Sequence, residues 1–150
     1  MAREILFRGK RIDNGKMVEG SYCPKKAGNY EGDRFVEEIQ HLIIVNMNGG
    51  GYQYAEVDPE TVCQYTGLTD KNGRKIFEGD IVAYVDMTST ENGYAEMDCV
   101  GEVVWDKEEA CFHVTERISA ESWEVLQECN VTGNIFDNPE LMEEDYKWRD

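Results

Sequence analysis

The sequence lacks a long hydrophobic run. Charged side chains interrupt the apolar stretch at the N-terminus, at Arg3, Glu4, Arg8, Lys10 and Arg11. No segment there has the composition of a secretory signal peptide, and no other segment approaches the roughly 20 apolar residues that a membrane-spanning helix needs. We therefore expect a protein without a membrane segment.

Positive charge is scarce as well. The chain has 15 Lys and Arg against 31 Asp and Glu, which gives a formal net charge of −16 over 150 residues. Such a balance opposes autonomous binding to a nucleic-acid backbone or to an anionic bilayer. The region from Asp86 to Asp150 alone holds 18 acidic and 4 basic residues. Residues 1–50 hold eight basic and seven acidic side chains, whereas residues 51–150 hold seven basic and 24 acidic ones. This asymmetry predicts either an acidic face for a basic partner or charge that serves solubility.

Cysteine pairs at metal-binding or redox spacing are also missing. The five cysteines are scattered along the chain, at Cys23, Cys63, Cys99, Cys111 and Cys129. An odd number without a Cys-x-x-Cys pair favours free thiols in a reducing cytoplasm. His113 lies two residues from Cys111, but this spacing matches none of the usual zinc templates. We predict no metal ion and no cofactor.

The sequence does contain many short apolar runs separated by Gly, Asn and Asp, a texture typical of a mainly β protein. Its 17.2 kDa suffice for one compact unit with a real core. Within that unit we expect a β-rich N-terminal region over residues 1–57. A C-terminal region with an acidic tail follows over residues 58–150.

The first half predicts strands joined by tight turns. Asn14-Gly15 supplies the positive φ angles of a hairpin turn, so Ile5–Arg8 and Met17–Tyr22 are predicted to pair. Phe35–Val45 is long enough for a strand or a short helix, and the β-branched run at its end favours a strand there. If the following segment is also a strand, Tyr52 and Tyr54 share one of its faces, either as a core pair or as an exposed platform.

The middle of the chain carries several turn signals. Asp58 before Pro59 predicts a capped helical turn, and Asp70–Gly73 predicts a polar turn. Glu78-Gly79-Asp80 predicts a turn in which the Asp80 carboxylate accepts backbone N–H bonds at the entrance of a strand. The polar stretch from Asp86 to Asp98 predicts an exposed, mobile loop.

The last third predicts a second hairpin and short helical segments. Val100–Trp105 and Cys111–Thr115 alternate as paired strands. Ile118–Gln127 predicts a short helix capped by Ser119 or Ser122, and Asn138-Pro139 predicts another helix start.

Three segments together resemble the YopX family of phage and prophage proteins: REILFRGKRIDNGKMVEG, VDPETVCQYTGLTDKNGRKIFEGDIV and VTGNIFDNPELM. The resemblance implies a mainly β fold, with an N-terminal β-hairpin region and a small Src-homology-3-like barrel built around the GDIV strand. It also implies the cytoplasm of a bacterial host cell. The family brings no established activity, so it assigns no catalytic residue.

Three functions stay open at this point. The first is a non-enzymatic module that binds a host or phage protein, in its specific form by acidic mimicry of nucleic-acid charge. The second is an enzyme acting on a small molecule or nucleotide through His113 or the Glu78/Asp80 pair. The third is weak nucleic-acid binding through the basic N-terminal hairpin, with Arg8, Lys10 and Arg11. A homo-oligomer is open as well.

Overall fold

The computed structural model describes residues 3–143 and the backbone of Lys147 and Trp148. The chain divides into two compact units, Met1–Gln64 and Tyr65–Asp150. The described part contains eleven strands and one α-helix: β1 (Phe7–Lys10), β2 (Met17–Glu31), β3 (Arg34–Asn46), β4 (Tyr52–Glu56), β5 (Cys63–Thr69), β6 (Lys75–Phe77), β7 (Asp80–Thr90), β8 (Gly93–Asp106), β9 (Cys111–Val114), α1 (Ser122–Glu128), β10 (Asn130–Asn134) and β11 (Lys147–Trp148). Two 3₁₀ helices lie at Pro59–Thr61 and Pro139–Glu143.

The first unit is an antiparallel sheet in the order β4-β3-β2-β1, and the first two residues of β5 pair along β1. The predicted opening hairpin is confirmed, with Phe7 opposite Gly20 and Gly15 at a φ of 69° in the connection. Asp58 caps the first 3₁₀ helix as predicted, since its Oδ1 accepts the N–H of Glu60 at 3.0 Å. Ile43, Ala55 and Val57 are buried in this unit.

Strands β2 and β3 continue well beyond this sheet. From Pro24–His41 to Glu31–Arg34 the two strands pair only with each other within the described residues, apart from the Val57 N–H that donates to the His41 carbonyl. Most of their side chains are exposed over this length. We call the segment from Pro24 to His41 the ribbon.

The second unit contains the rest of β5 with β6, and a sheet in the order β10-β7-β8. Strands β9 and β11 both pair with β8, at different positions along it. Helix α1 contributes Val125 and Leu126 to a core that also contains Tyr84, Cys99 and Val103. The predicted hairpin of β8 and β9 is confirmed. No described helix is long and apolar enough to cross a membrane.

The mainly β prediction is confirmed, as are the short helical segments near the C-terminus. The implied barrel is not closed. The two antiparallel sheets stay open in the described residues, because β10 ends one of them and β9 and β11 lie at its other side without pairing to β10.

The predicted loop from Asp86 to Asp98 is wrong. These residues form the outer half of the β7–β8 hairpin, whose pairing reaches Thr90 opposite Gly93 across a two-residue turn. Polar composition misled the prediction because Asp86 points into the protein, where its charge is hydrogen-bonded, while the other side of the hairpin faces solvent.

The predicted caps of α1 are also wrong, because Glu121 is the N-cap residue and exchanges capping-box bonds with Glu124. Ser119 is instead bound to Asp86, and Ser122 accepts the Val114 N–H. The predicted helix start at Asn138 is a 3₁₀ helix whose Leu141 N–H donates to the Asn138 carbonyl. The predicted acidic tail beyond Glu143 lies outside the described residues, apart from the backbone of β11.

Candidate binding surface

A buried carboxylate fixes the loop in front of α1. Asp86 is 1% exposed. Its oxygens accept the backbone N–H groups of Ile118 at 2.7 Å and Ala120 at 3.0 Å, and the Ser119 hydroxyl at 2.9 Å. The Met87 N–H donates to the same carboxylate. Charge-assisted bonds of this kind hold residues 118–120 against β7 and so determine where α1 begins.

The pKa of Asp86 reflects this environment. Burial raises it, but the hydrogen bonds from Ile118, Met87 and Ser119 together outweigh burial and hold the pKa of Asp86 below its usual value. The carboxylate is therefore ionised at neutral pH.

One edge of β7 is covered at two places, by β10 and by Ser119, and a gap stays open between them. Strand β10 pairs with β7 only as far as Asn130 opposite Ala83. Ser119 closes the edge again at Met87, where its hydroxyl donates to the Met87 carbonyl at 2.9 Å. The carbonyl of Ile81 faces the same way, since it accepts from Thr132. Because strand groups alternate with a period of two, Val85 directs its N–H and C=O into the gap.

A groove lies at this gap. Its volume is about 520 Å³, and we name it the Trp123 groove after its most exposed large hydrophobic side chain. The lining residues come from β7, from α1 and from the turns nearby: Lys71, Tyr84, Val85, Ala120, Trp123, Glu124, Val125, Gln127 and Glu128. Trp123 is 61% exposed and Val85 is 43% exposed. The groove thus combines an exposed aromatic ring, an open strand edge, two carboxylates and the ammonium group of Lys71.

The groove is continuous through Val85 with the outer face of the hairpin. Register places Val85 opposite Asp98, Met87 opposite Glu96 and Ser89 opposite Tyr94, all exposed and on one face. Apolar and acidic side chains therefore alternate across this face, which gives it area for contact and negative charge.

His113 lies in a hydrogen-bonded cluster. Arg117 donates to the carbonyls of Val114 at 2.9 Å and Ala120 at 2.8 Å, and its Nη2 lies 3.1 Å from His113 Nε2. The same Nη2 lies 3.4 Å from His113 Nδ1, and Ser122 Oγ lies 3.2 Å from Nδ1. The Ser122 oxygen also accepts the Val114 N–H, so the cluster joins β9 to the loop and to α1.

The structure separates the roles of Glu78 and Asp80. Asp80 is 1% exposed and its Oδ2 accepts the Phe77 N–H at 2.7 Å, which confirms the predicted role in the turn. Glu78 acts on a different residue. Burial and then the charge of Glu78 raise the pKa of Glu102 above its usual value. A carboxylate as deeply buried as Asp80 has no access to a substrate.

The basic residues of the N-terminal hairpin do not form one patch. Arg8 is buried, whereas Arg11 makes two hydrogen bonds to Asp13, at 2.9 and 2.7 Å. This contact raises the pKa of Arg11 and lowers that of Asp13. Lys10 and Arg11 line a pocket of about 410 Å³ together with Asp58, so negative charge accompanies the positive charge there.

The five cysteines differ in their exposure to solvent. Cys63, Cys99 and Cys129 are buried, and Cys23 and Cys111 are exposed. Cys111 and His113 share one face of β9, since they are two residues apart on the strand. Within residues 3–143, no three His, Cys, Asp or Glu side chains are grouped to hold a metal ion.

Comparisons with known families and solved structures show which family and which fold the chain matches. The family described as YopX protein matches residues 6–143, nearly the whole sequence. The chain belongs to the YopX family. Among solved structures, this YopX family member is similar to protein EF1440 from Enterococcus faecalis, with 22% sequence identity and a TM-score of 0.51. The match covers 94% of this chain and 99% of that one, and it shows the fold alone. No curated protein matches the sequence.

The sequence did not reveal the Trp123 groove. Trp123 stands in a segment of mixed signals, and its neighbours in the groove come from Lys71 and from β7. The one local signal is the helical spacing that separates two buried residues, Val125 and Leu126, from the exposed Trp123, Glu124, Gln127 and Glu128. This pattern can be recognised only once the bounds of the helix are known.

Proposed function

We propose that this protein is a non-enzymatic binding module, encoded by a phage or prophage, that captures a positively charged segment of a host or phage protein in the Trp123 groove. The observation that carries the proposal is the groove itself. An exposed tryptophan, an open strand edge and carboxylates meet there, and each of them recognises a different property of a peptide segment.

The charge of the second unit supports a basic partner. Residues 65–150 hold 21 acidic and 7 basic side chains, a net charge of −14, whereas residues 1–64 carry only −2. A field of one sign speeds the encounter with an oppositely charged partner and weakens as salt is added.

Glu128 supports a role in binding separately. It is the last residue of α1, where the helix dipole disfavours a carboxylate, and no basic residue stands in that last turn. The side chain lines the groove. Its carboxylate is therefore available to a basic segment in the groove, where Lys71 is the one positively charged lining residue.

Mimicry of nucleic acid is the specific form of the proposal. On β8, Glu96 and Asp98 are two residues apart on the outer face, and Glu102 follows on the same side of the strand. Alternate residues of a strand are about 7 Å apart, whereas duplex DNA carries one charge per about 1.7 Å of axis. The carboxylates of one strand are thus too widely spaced to imitate the charge density of a duplex. Mimicry therefore requires the charges of this face and of the groove together.

Affinity capture with matched variants tests the proposal. Tagged wild-type protein, Trp123→Ala, Glu128→Gln and Glu109→Gln are each incubated with nuclease-treated bacterial lysate, and captured proteins are quantified by mass spectrometry. Glu109 is an exposed acid in the β8–β9 turn, so it controls for the loss of one charge. We expect a basic protein whose capture falls about tenfold or more with Trp123→Ala, clearly with Glu128→Gln and not with Glu109→Gln.

Salt and competition complete the test. Capture is expected to fall as NaCl rises from 0.05 to 0.5 M, and the polyanion heparin is expected to release the partner by competing for its positive charge. Equal capture by Trp123→Ala, Glu128→Gln and wild type would contradict the proposal, as would a complex that salt leaves unchanged.

A further inference from the structure

Strand β4 is an edge strand of the first unit. Within the described residues it pairs with β3 on one side, and no strand pairs with it on the other. Tyr52 is 69% exposed and Tyr54 is 63% exposed, so they form an exposed platform and not a core pair.

The hydrogen bonds identify which backbone groups face outward. The Gly51 carbonyl accepts from Met47 at 3.1 Å and the Val57 N–H donates to His41 at 2.9 Å, so these odd-numbered residues face β3. The Glu56 carbonyl accepts from Ile12 at 3.0 Å on the opposite side. By alternation, Tyr52 and Tyr54 present their N–H and C=O groups to the open edge.

Within β4 only Glu56, at the end of the strand, carries a charge that could guard this edge. Exposed edges usually carry charged residues, prolines or bulges that prevent pairing with another chain. Tyr52, Gln53 and Tyr54 are uncharged in a protein of which 31% is charged, and the register of β4 is regular. Ile12 closes the edge only at Glu56.

We propose that β4 pairs with β4 of a second copy of this chain, antiparallel, around a two-fold axis at Gln53. This register sets Tyr52 of each copy opposite the other copy's Tyr54. Both are hydrogen-bonded pairs, so the contact gains four backbone hydrogen bonds, and the four tyrosine side chains lie on one face as two cross-strand aromatic pairs.

The chain around β4 fits such a partner. In this register residue 50 of one copy comes opposite Glu56 of the other, where the Ile12 segment lies. Gly49, Gly50 and Gly51 have φ angles of 102°, 98° and 90° and no side chains, and the backbone turns back there to its own β3. This glycine turn leaves room for the segment of the neighbouring copy.

Charge distinguishes this contact from capture of a basic partner. The pairing surface has no formal charge, while each copy carries −16 as a whole. Salt screens the repulsion between two such copies without removing an ion pair from the contact. Self-association is thus expected to strengthen with salt, whereas the proposed capture of a basic segment weakens.

Cysteine crosslinking tests the axis directly. Gln53 and its mate form a non-hydrogen-bonded pair with Cα atoms about 4.5 Å apart, inside the disulfide range of about 4.4–6.8 Å. Gln53→Cys is made in the full chain with Cys23→Ser and Cys111→Ser, which removes the two exposed native thiols. We expect rapid formation of a disulfide dimer under mild oxidation. The control, Asp33→Cys in the β2–β3 turn, is expected to crosslink at least tenfold more slowly.

A pair of charge variants tests the register. Tyr52→Glu with Tyr54→Glu sets like charges opposite each other, and Tyr52→Glu with Tyr54→Lys sets opposite charges opposite each other, with the same two tyrosines removed. Sedimentation is run at about 100 µM chain, because the contact is smaller than a standard interface of about 800 Å² per partner. We expect dimer for wild type and the Glu/Lys variant, and monomer for the Glu/Glu variant.

Any of three results would overturn this interface: monomeric wild type, a dimer that survives in the Glu/Glu variant, or equal crosslinking of the cysteines at positions 53 and 33. The proposed function is tested separately, since Trp123→Ala is expected to leave the dimer intact.

Discussion

At the scale of single residues, three buried aspartates organise the second unit. Asp80 binds a neighbouring N–H, whereas Asp70 accepts the Val131 N–H at 2.9 Å and Asp86 binds residues 118–120. The role of Asp80 was predictable because its partner is local. The roles of Asp70 and Asp86 were not, because their partners follow 61 and 32 residues later.

Asp86→Asn is expected to destabilise the protein by about 3 kcal/mol, because an amide cannot accept all the N–H groups that converge on the carboxylate. Urea unfolding at pH 7 measures the change in the free energy of unfolding. Asp33→Asn, in the exposed β2–β3 turn, is the control and is expected to change it by less than about 0.5 kcal/mol. Similar losses in both variants would show that the Asp86 bonds do not stabilise the fold.

The pH dependence has a definite sign. Burial raises the pKa of Asp70 and Asp86, but hydrogen bonds outweigh it and both values end below the usual one. Their stabilisation is therefore complete above the unfolded pKa of about 4 and is lost as the pH falls through the folded values. Urea unfolding between pH 5 and 2 is expected to show this loss, and Asp86→Asn to show less of it.

At the scale of elements, tight turns were predictable and long hairpins were not. Asn14-Gly15, Asp58-Pro59 and the Asp70–Gly73 turn each contain the residue chemistry of their own geometry. The outer half of the β7–β8 hairpin has a polar residue on its inner side, so its sequence does not alternate as a half-buried strand does.

The ribbon is expected to open locally more often than the sheet from which it extends. A two-stranded hairpin without a third strand or a covering face is only marginally stable. By register and alternation, the N–H groups of Ile43 and Ile44 bond to β4 and β2, whereas those of Ala27 and Val36 bond across the ribbon. Hydrogen exchange should therefore protect Ile43 and Ile44 about tenfold or more over Ala27 and Val36. The flanked part of β7, Ile81–Ala83, is the control. Uniform protection along β2 and β3 would indicate that another surface covers the ribbon.

At the scale of the whole molecule, charge is distributed unequally between the two units. The second unit carries −14 of the total −16. The sequence predicted this asymmetry, since it follows from counting residues. It could not predict that Asp70, Asp80 and Asp86 would be buried, which removes three carboxylates from the surface and leaves the rest to set the field.

Self-repulsion of this charge is expected to lower thermal stability at low salt. Raising NaCl from 0.02 to 0.5 M should raise Tm by several degrees, with most of the gain below about 0.15 M, where the Debye length falls to about 8 Å. Differential scanning calorimetry measures it. Glucose at the same osmolality controls for osmotic effects, and an unchanged or lower Tm in NaCl would contradict the expectation.

Because some of its thiols are exposed and others buried, the chain contains its own chemical probes of local opening. Burial, with nearby carboxylates, raises the pKa of Cys99 and Cys129 to about 11, so neither presents a thiolate at neutral pH. An alkylating reagent should modify Cys23 and Cys111 at once and the buried thiols only when their surroundings open. The number of modified thiols, followed over time, would then give the rate at which each unit opens. Cys63 reports on the first unit, and Cys99 and Cys129 report on the second.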